Sequence, residues 1–192
     1  MPSIINFGKK SGGDIPVTIY DNLTFNNANP GTLPYTLNAD YEIFVDFTVP
    51  TYYKNMPIIG NSLNANTVHL TEFSNKYYTG NGSGEANFTA TLTGRHIFIN
   101  NHNNKNLFDG VEVTDYTPTT NSSVSLTVGS RGDLVRWSYY LRGSIHEYKI
   151  TSISTGNIIA DYKPAKVYDF TGLYDRINNS FVGCGSSVSN NS

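Results

Sequence analysis

Apolar and polar residues alternate along most of this chain with a period of two. The clearest run is Asp40 to Pro50. There Tyr41, Ile43, Val45 and Phe47 fall on one face and Glu42, Phe44, Asp46 and Thr48 on the other. Successive side chains of a strand point to opposite sides of a sheet, so this run predicts a strand with one buried and one half-polar face. Val124, Leu126 and Val128 repeat the pattern, as do Ile15, Val17 and Ile19. In the latter run Pro16 has no N–H to give, which predicts an edge strand. Shorter strand-like pieces are Met56 to Gly60, Val68 to Phe73, Tyr77-Tyr78, Ala86 to Leu92, Arg95 to Asn100, Leu107 to Val113 and Ile158 to Tyr162. Gly143 to Ile150 reads as a strand with a fault, because Ile145 is out of phase with Tyr148 and Ile150. A bulge, or burial on both faces, reconciles them.

Turn chemistry separates these runs. Asn26 to Gly31 and Asn81 to Gly84 carry the residues that tolerate positive φ. Asn101 to Asn106 is too polar for an interior and is expected to be a solvent-facing loop. In the closing stretch, Gly172-Leu173-Tyr174-Asp175 and Phe181 flank Asn178-Asn179. This predicts a tight hairpin on the paired Asn, with Tyr174 and Phe181 packed inward and Asp175 accepting the N–H groups just ahead of it. No segment has a helical period. Short strands at roughly ten-residue intervals indicate an all-β sandwich or barrel. The expected division is an N-terminal arm and first edge strand over 1–34, the main domain over 35–183 and a polar tail over 184–192.

Composition agrees with a folded β domain. Of 192 residues, 38% are hydrophobic and only 15% charged, a balance unlike that of disordered chains. Tyr and Phe number 14 and 10, and they favour strands. The formal net charge of −2 supplies no basic surface for a polyanion, so no nucleic-acid partner is expected. Cys184 is the single cysteine, so an intramolecular disulfide is excluded. No charged-then-apolar leader and no run of membrane-spanning length is visible, so neither secretion nor membrane insertion is expected.

The closing Gly-Leu-Tyr-Asp, followed by Asn and Phe, resembles the C-terminal signature of LamG-like (concanavalin A-like) jelly-roll domains, of the kind found in phage virion proteins and in gut bacteria. Gly143, Ile145, Glu147, Tyr148 and Ile150 resemble that family's penultimate core strand, and Leu107 to Val113 resembles its meander, in which a strand turns and returns through an Asp-Gly, here Asp109-Gly110. The resemblance runs from about residue 40 to 183 and implies a jelly-roll β-sandwich.

Candidate chemistry is sparse. Jelly-roll glycosidases use alternate carboxylates on one strand, but Glu42 and Asp46 lie roughly 13 Å apart by strand rise, too far for either glycosidase geometry, and no third acid accompanies them. No catalytic residue is expected. His69, His96, His102 and His146 are scattered, without metal-ligand spacing. Asp109, Glu112 and Asp115 are the acids near enough in sequence to be weighed for calcium, and the default reading is no cofactor. Arg131-Gly132-Asp133 matches a cell-adhesion tripeptide and reads as an ordinary turn. Sugar rings stack on exposed aromatics, which makes Tyr52, Tyr53, Arg136, Trp137 and Tyr139 carbohydrate-binding candidates, with the Asn101 to Asn106 loop as a further one. Ile4, Ile5 and Phe7 make the N-terminus an apolar arm, followed by the flexible Lys9-Lys10-Ser11-Gly12-Gly13. It is expected either to tuck against its own domain or to dock on a neighbouring subunit. The function expected is a non-enzymatic virion structural protein, a decoration or appendage subunit on capsid or tail. It would be oligomeric or lattice-bound through contacts with other virion proteins and assembled in the host cytoplasm. The alternative is a carbohydrate-binding module.

Overall fold

The computed structural model describes residues 4–6, 16–26, 28–51, 56–60, 69–73, 76–80, 85–117, 125–130 and 140–191, with the backbone alone at 4–6, 69–73 and 85. Among the described residues every regular element is a strand. In chain order they are β1 (Ile4–Asn6), β2 (Val17–Ile19), β3 (Asn22–Asn26), β4 (Gly31–Thr36), β5 (Tyr41–Val49), β6 (Met56–Gly60), β7 (His69–Phe73), β8 (Lys76–Gly80) and β9 (Glu85–Phe88). The second half adds β10 (Gly94–Asn100), β11 (Lys105–Phe108), β12 (Val111–Asp115), β13 (Ser125–Val128), β14 (Arg142–Ser152), β15 (Ile158–Val167), β16 (Phe170–Asp175), β17 (Ser180–Gly183) and β18 (Ser187–Ser189).

Two antiparallel sheets form. The larger has the order β1-β17-β16-β15-β14-β5-β10-β11-β12. The smaller has the order β4-β13-β6-β7-β8-β9. Strands β14 and β15 diverge towards one end, and the gap is filled by β3, paired to β14, and by β2, paired to β15. Among the described strands β2 has no second neighbour, so Pro16 stands beside an edge strand, where its missing N–H costs nothing.

The core lies between the sheets. Ile43, Val45, Phe47 and Val49 of β5 are fully buried, as the alternation predicts. They meet Ile145, Tyr148 and Ile150 of β14 and, from the smaller sheet, Leu33, Met56, Leu126 and Val128. The out-of-phase Ile145 is resolved by a bulge: the register of β14 on β5 shifts between Ile145 and Glu147, and Ile145, Tyr148 and Ile150 all reach the core. Asp109-Gly110 forms the expected two-residue hairpin between β11 and β12, with both residues at positive φ (51° and 79°).

Two expectations need correction. The Asn loop is not solvated throughout. Asn100, Asn101 and Asn106 are buried with each side-chain NH₂ group hydrogen-bonded, while Asn100 Oδ1 and Asn101 Oδ1 have no partner among the described residues. Asn106 Nδ2 donates to Gly80 O (2.9 Å) and Thr79 Oγ1 (3.3 Å), while its Oδ1 accepts from Asn100 Nδ2 (2.8 Å) and the Asn101 N–H (3.2 Å). Asn101 Nδ2 donates to Ala39 O and Tyr41 O. This network ties β10 and β11 to β8 of the other sheet. Asn101, Asn103 and Asn104 hold positive φ, which few other residue types tolerate.

The closing hairpin is also longer than a two-residue turn. Asp175 pairs with Ser180, which leaves residues 176–179 as the loop, and only Asn179 has positive φ. Leu173 and Val182 reach the main core. Tyr174 and Phe181 lie on the opposite face, in a second small cluster with Val17, Ala165 and Val167. There Phe181 is fully buried and Tyr174 half-buried. Gly172 makes room for this: a Cβ there would stand 2.1 Å from Val182 O and 2.7 Å from the Phe181 ring.

Candidate functional site

The outer face of the larger sheet carries a group of paired acids and bases. Residues directly opposite on adjacent strands share a face, so the register places Asp46 of β5 beside Glu147 of β14, and Lys149 beside both Phe44 and Asp161. Arg95 of β10 reaches across to grip the Asp46 carboxylate with two N–H groups, Nε at 2.9 Å and Nη2 at 2.6 Å. That grip raises the Arg95 pKa. Glu147 lies between Lys149 Nζ (2.9 Å) and Lys163 Nζ (3.1 Å). Burial alone would raise its pKa, but the two ammonium groups outweigh that and bring it below the usual value. Lys149 Nζ also stands 5.3 Å over the Phe44 ring. Arg176 holds Asp161 at 2.5 Å, and His102 meets Glu42 at 2.6 Å. Glu42 and Asp46, the acids weighed for hydrolysis, are therefore each engaged by a separate basic partner.

The described histidine side chains, His96, His102 and His146, each have a polar partner as well. His96 is buried against Phe47, Tyr77 and Phe108, with its Nδ1 2.8 Å from Asp109 Oδ2. Asp109 Oδ1 accepts the Ile97 N–H, which locks the Asp-Gly turn onto β10. His146, at the bulge of β14, donates from Nδ1 to Asp21 O (3.1 Å), so Nε2 accepts the Thr48 hydroxyl (2.7 Å). Burial lowers its pKa. Glu112 pairs with Lys105. With Asp109 and Glu112 engaged apart, the acids weighed for calcium are not brought together. Among the described residues no three His, Cys, Asp or Glu side chains assemble into a group able to hold a metal.

The carbohydrate candidates Tyr52, Tyr53, Arg136, Trp137 and Tyr139 lie outside the described residues, as do Phe7, the side chain of His69 and the Arg131-Gly132-Asp133 turn. Ile4 and Ile5 lie on β1, which pairs with β17 of the same chain, Ile4 opposite Val182 and Ile5 opposite Phe181.

An aromatic tip that the sequence reading overlooked sits between β15 and β16. Val167 pairs with Phe170, leaving Tyr168-Asp169 as a two-residue loop. Tyr168 is 62% exposed and Phe170 61%. Tyr168 holds φ 52°, a left-handed conformation that Gly or Asn adopts far more readily. Turn signals built on Gly and Asn pass over such a loop. The sign available in the sequence was an Asp bracketed by two aromatic residues between strands.

Among the described residues no helix is long and apolar enough to cross a membrane. No protein-family model matches the sequence, and no curated protein matches it. Among solved structures the chain is similar to the mouse laminin alpha1 chain, domains LG4-5, with a TM-score of 0.53 over 88% of this chain and 14% identity. It spans 47% of that chain's length. The likeness is one of fold. With the two antiparallel sheets, it makes this an all-β jelly-roll sandwich of the LamG-like kind, as the closing motif implied.

Proposed function

We propose that this chain is a non-enzymatic structural subunit of a phage virion, a decoration or appendage protein on capsid or tail that works through protein–protein contacts. The observation that carries the reading is the outer face of the larger sheet. Asp46, Glu147, Asp161 and Glu42 each have a basic partner within 2.9 Å, so the face is a cross-linked plate of matched charge. Catalytic carboxylates have environments that push their pKa values apart and leave one oxygen for substrate. Paired charges on a stiff sheet instead give a surface that docks in one register against a complementary one. The Asn network and the bulged β14 add stiffness. The N-terminal strand carrying Ile4 and Ile5 lies at the edge of the same sheet, where an arm would join neighbours. Mass spectrometry of particles purified from the source tests the reading. The chain is expected among the virion proteins, and its absence from every particle fraction would overturn the assignment. The carbohydrate-binding alternative draws support from the aromatic tip.

A further inference from the structure

We propose that the outer face of the larger sheet pairs with the same face of a second copy of this chain, back to back about a two-fold axis running along β10 over Ile99. The proposal rests on the reading of that face as a docking surface and names its partner. A sheet face turned to solvent is normally polar where the other face is apolar. β10 departs from this. His96 and Phe98 are buried on the core side, yet the residues between and after them, Ile97 and Ile99, are apolar as well. Residues directly opposite one another form a straight row across five strands. Lys149 of β14 lies opposite Phe44 of β5, Phe44 opposite Ile99 of β10, Ile99 opposite Leu107 of β11, and Leu107 opposite Glu112 of β12. Phe44, Ile99 and Leu107 are half-buried, and Ile97 is 38% exposed. A contiguous apolar strip rimmed by charge marks an interaction surface.

The order along the row identifies the occupant. A two-fold axis along β10 sets β5 against the other copy's β11 and β14 against its β12. Ile99 then meets its own counterpart, Phe44 meets the partner's Leu107, and Lys149 meets the partner's Glu112. One row further on, Glu42 and Lys105 lie two residues back from Phe44 and Leu107 along β5 and β11, so Glu42 meets the partner's Lys105. In that row Thr151 lies opposite Glu42 and Asp115 opposite Lys105, which brings a hydroxyl to the partner's Asp115. Apolar groups meet apolar groups and bases meet acids, the self-complementarity that an isologous interface requires. An axis across the strands would instead set Lys149 on Lys149 and Glu112 on Glu112. Lys149 keeps Glu147, Glu112 keeps Lys105 and Glu42 keeps His102 within the chain, so closing the interface strands none of these charges. From β14 to β12 is four strand spacings, and three rows of side chains take roughly 20 Å along the strands, a footprint on the order of 400–500 Å². That is below the ~800 Å² per partner of a standard stable complex and fits a reversible dimer.

Sedimentation of the purified full chain over about 5–500 μM tests this. Wild type is expected to pass from monomer to dimer across that range. Lys149→Glu and Glu112→Lys each set like charges at both ends of the row, and each should weaken the dimer about tenfold or more. Mixed in equal amounts, the two variants regain both opposite pairs, so a mixed dimer should form within about threefold of the wild-type affinity. Ile99→Glu brings two carboxylates together on the axis and should leave only monomer, at a melting temperature that shows the chain still folded. It decides the matter on its own if a charge variant is unstable. Wild type monomeric at every concentration, a dimer that survives Ile99→Glu, or folded charge variants that stay monomeric when mixed would overturn the proposal. The measurement is made on soluble protein, so such a result strikes the pairing alone and leaves the virion assignment to the mass spectrum of particles.

Discussion

Asp175 offers the sharpest test of how the closing hairpin is held. Its carboxylate has no solvent exposure. Oδ1 accepts the N–H groups of Asp161 (3.1 Å), Ile177 (3.0 Å) and Asn178 (3.4 Å). Oδ2 accepts the Tyr35 hydroxyl (3.2 Å) and Asn178 Nδ2 (2.8 Å). One side chain therefore fixes the 176–179 loop, the neighbouring strand β15 and, through Tyr35, the smaller sheet. In Asp175→Ala these donors lose their acceptor unequally. Asn178 Nδ2 keeps Ile159 O at 2.8 Å, and the Ile177 and Asn178 N–H groups lie in an exposed loop that water reaches. The Asp161 N–H is buried and has no substitute. A buried orphan donor costs about 1–3 kcal/mol, and each lost hydrogen bond to a charged group about 1.5–3 kcal/mol, part of which water returns here. We expect a net loss of about 3–4 kcal/mol. For a domain of this size that is a melting temperature lower by about 6–16 °C. Asp175→Asn keeps the Oδ1 acceptors but sets an NH₂ group against Asn178 Nδ2, and should cost about 1–2 kcal/mol. Thermal and urea denaturation of the three proteins measure this. A drop below about 2 °C for Asp175→Ala, or an Asn variant as damaging as the Ala variant, would refute the reasoning.

Gly172→Ala should be worse than either, costing more than about 4 kcal/mol, because the new Cβ meets the Val182 carbonyl at 2.1 Å and backbone cannot step aside. Soluble yield and melting temperature report it, and a variant within a few degrees of wild type would contradict the packing described. Asn106→Leu strands Gly80 O, the Asn101 N–H and the Asn100 amide in the interior, and should cost about 3 kcal/mol or more by urea denaturation. A neutral result would mean that the network is not formed. The pH dependence should follow His146. Burial brings its folded-state pKa below the ordinary 6.5, with Arg95 adding to this and the Asp21 carbonyl, Asp46 and Asp21 opposing it. The unfolded chain then binds the proton more readily, so stability is complete above about pH 6.5 and falls as pH drops through that value towards the folded pKa. Melting temperatures from pH 7.5 to 5.5 should decline, and His146→Gln should flatten the slope. An unchanged slope would assign the decline to other groups.

Much of this architecture was legible because period-two patterning and turn chemistry are local. β5 could be read from Tyr41 to Val49 alone, and the phase error of Ile145 called for either a bulge or burial on both faces, of which the structure has the bulge. The turn at Asp109-Gly110 was legible through the resemblance, and the positive φ of both residues is its physical reason. What escaped depends on partners far along the chain. Asn100, Asn101 and Asn106 look solvent-bound singly, and the carbonyls of Ala39, Tyr41 and Gly80 that take the Asn101 and Asn106 NH₂ groups lie far along the chain. The ion pairs of Asp46 with Arg95 and of Asp161 with Arg176 need the register before they exist. Phe181 shares a face with Tyr174 whether the loop has two residues or four, and that this face meets Val17, Ala165 and Val167 instead of the main core depends on the distant strands β2 and β15. The aromatic tip escaped for a different reason: Tyr168 violates the turn rules that would have marked it. The carbohydrate candidates at Tyr52, Tyr53, Arg136, Trp137 and Tyr139 lie outside the described residues.

The measurement that bears most directly on the central claim is a cryo-EM reconstruction of intact particles from the source. The account predicts a two-sheet density of this shape in many symmetry-related copies, with the charged outer face of the larger sheet or the N-terminal strand against a neighbouring subunit. A reconstruction of the complete particle with no density that fits the fold would contradict it.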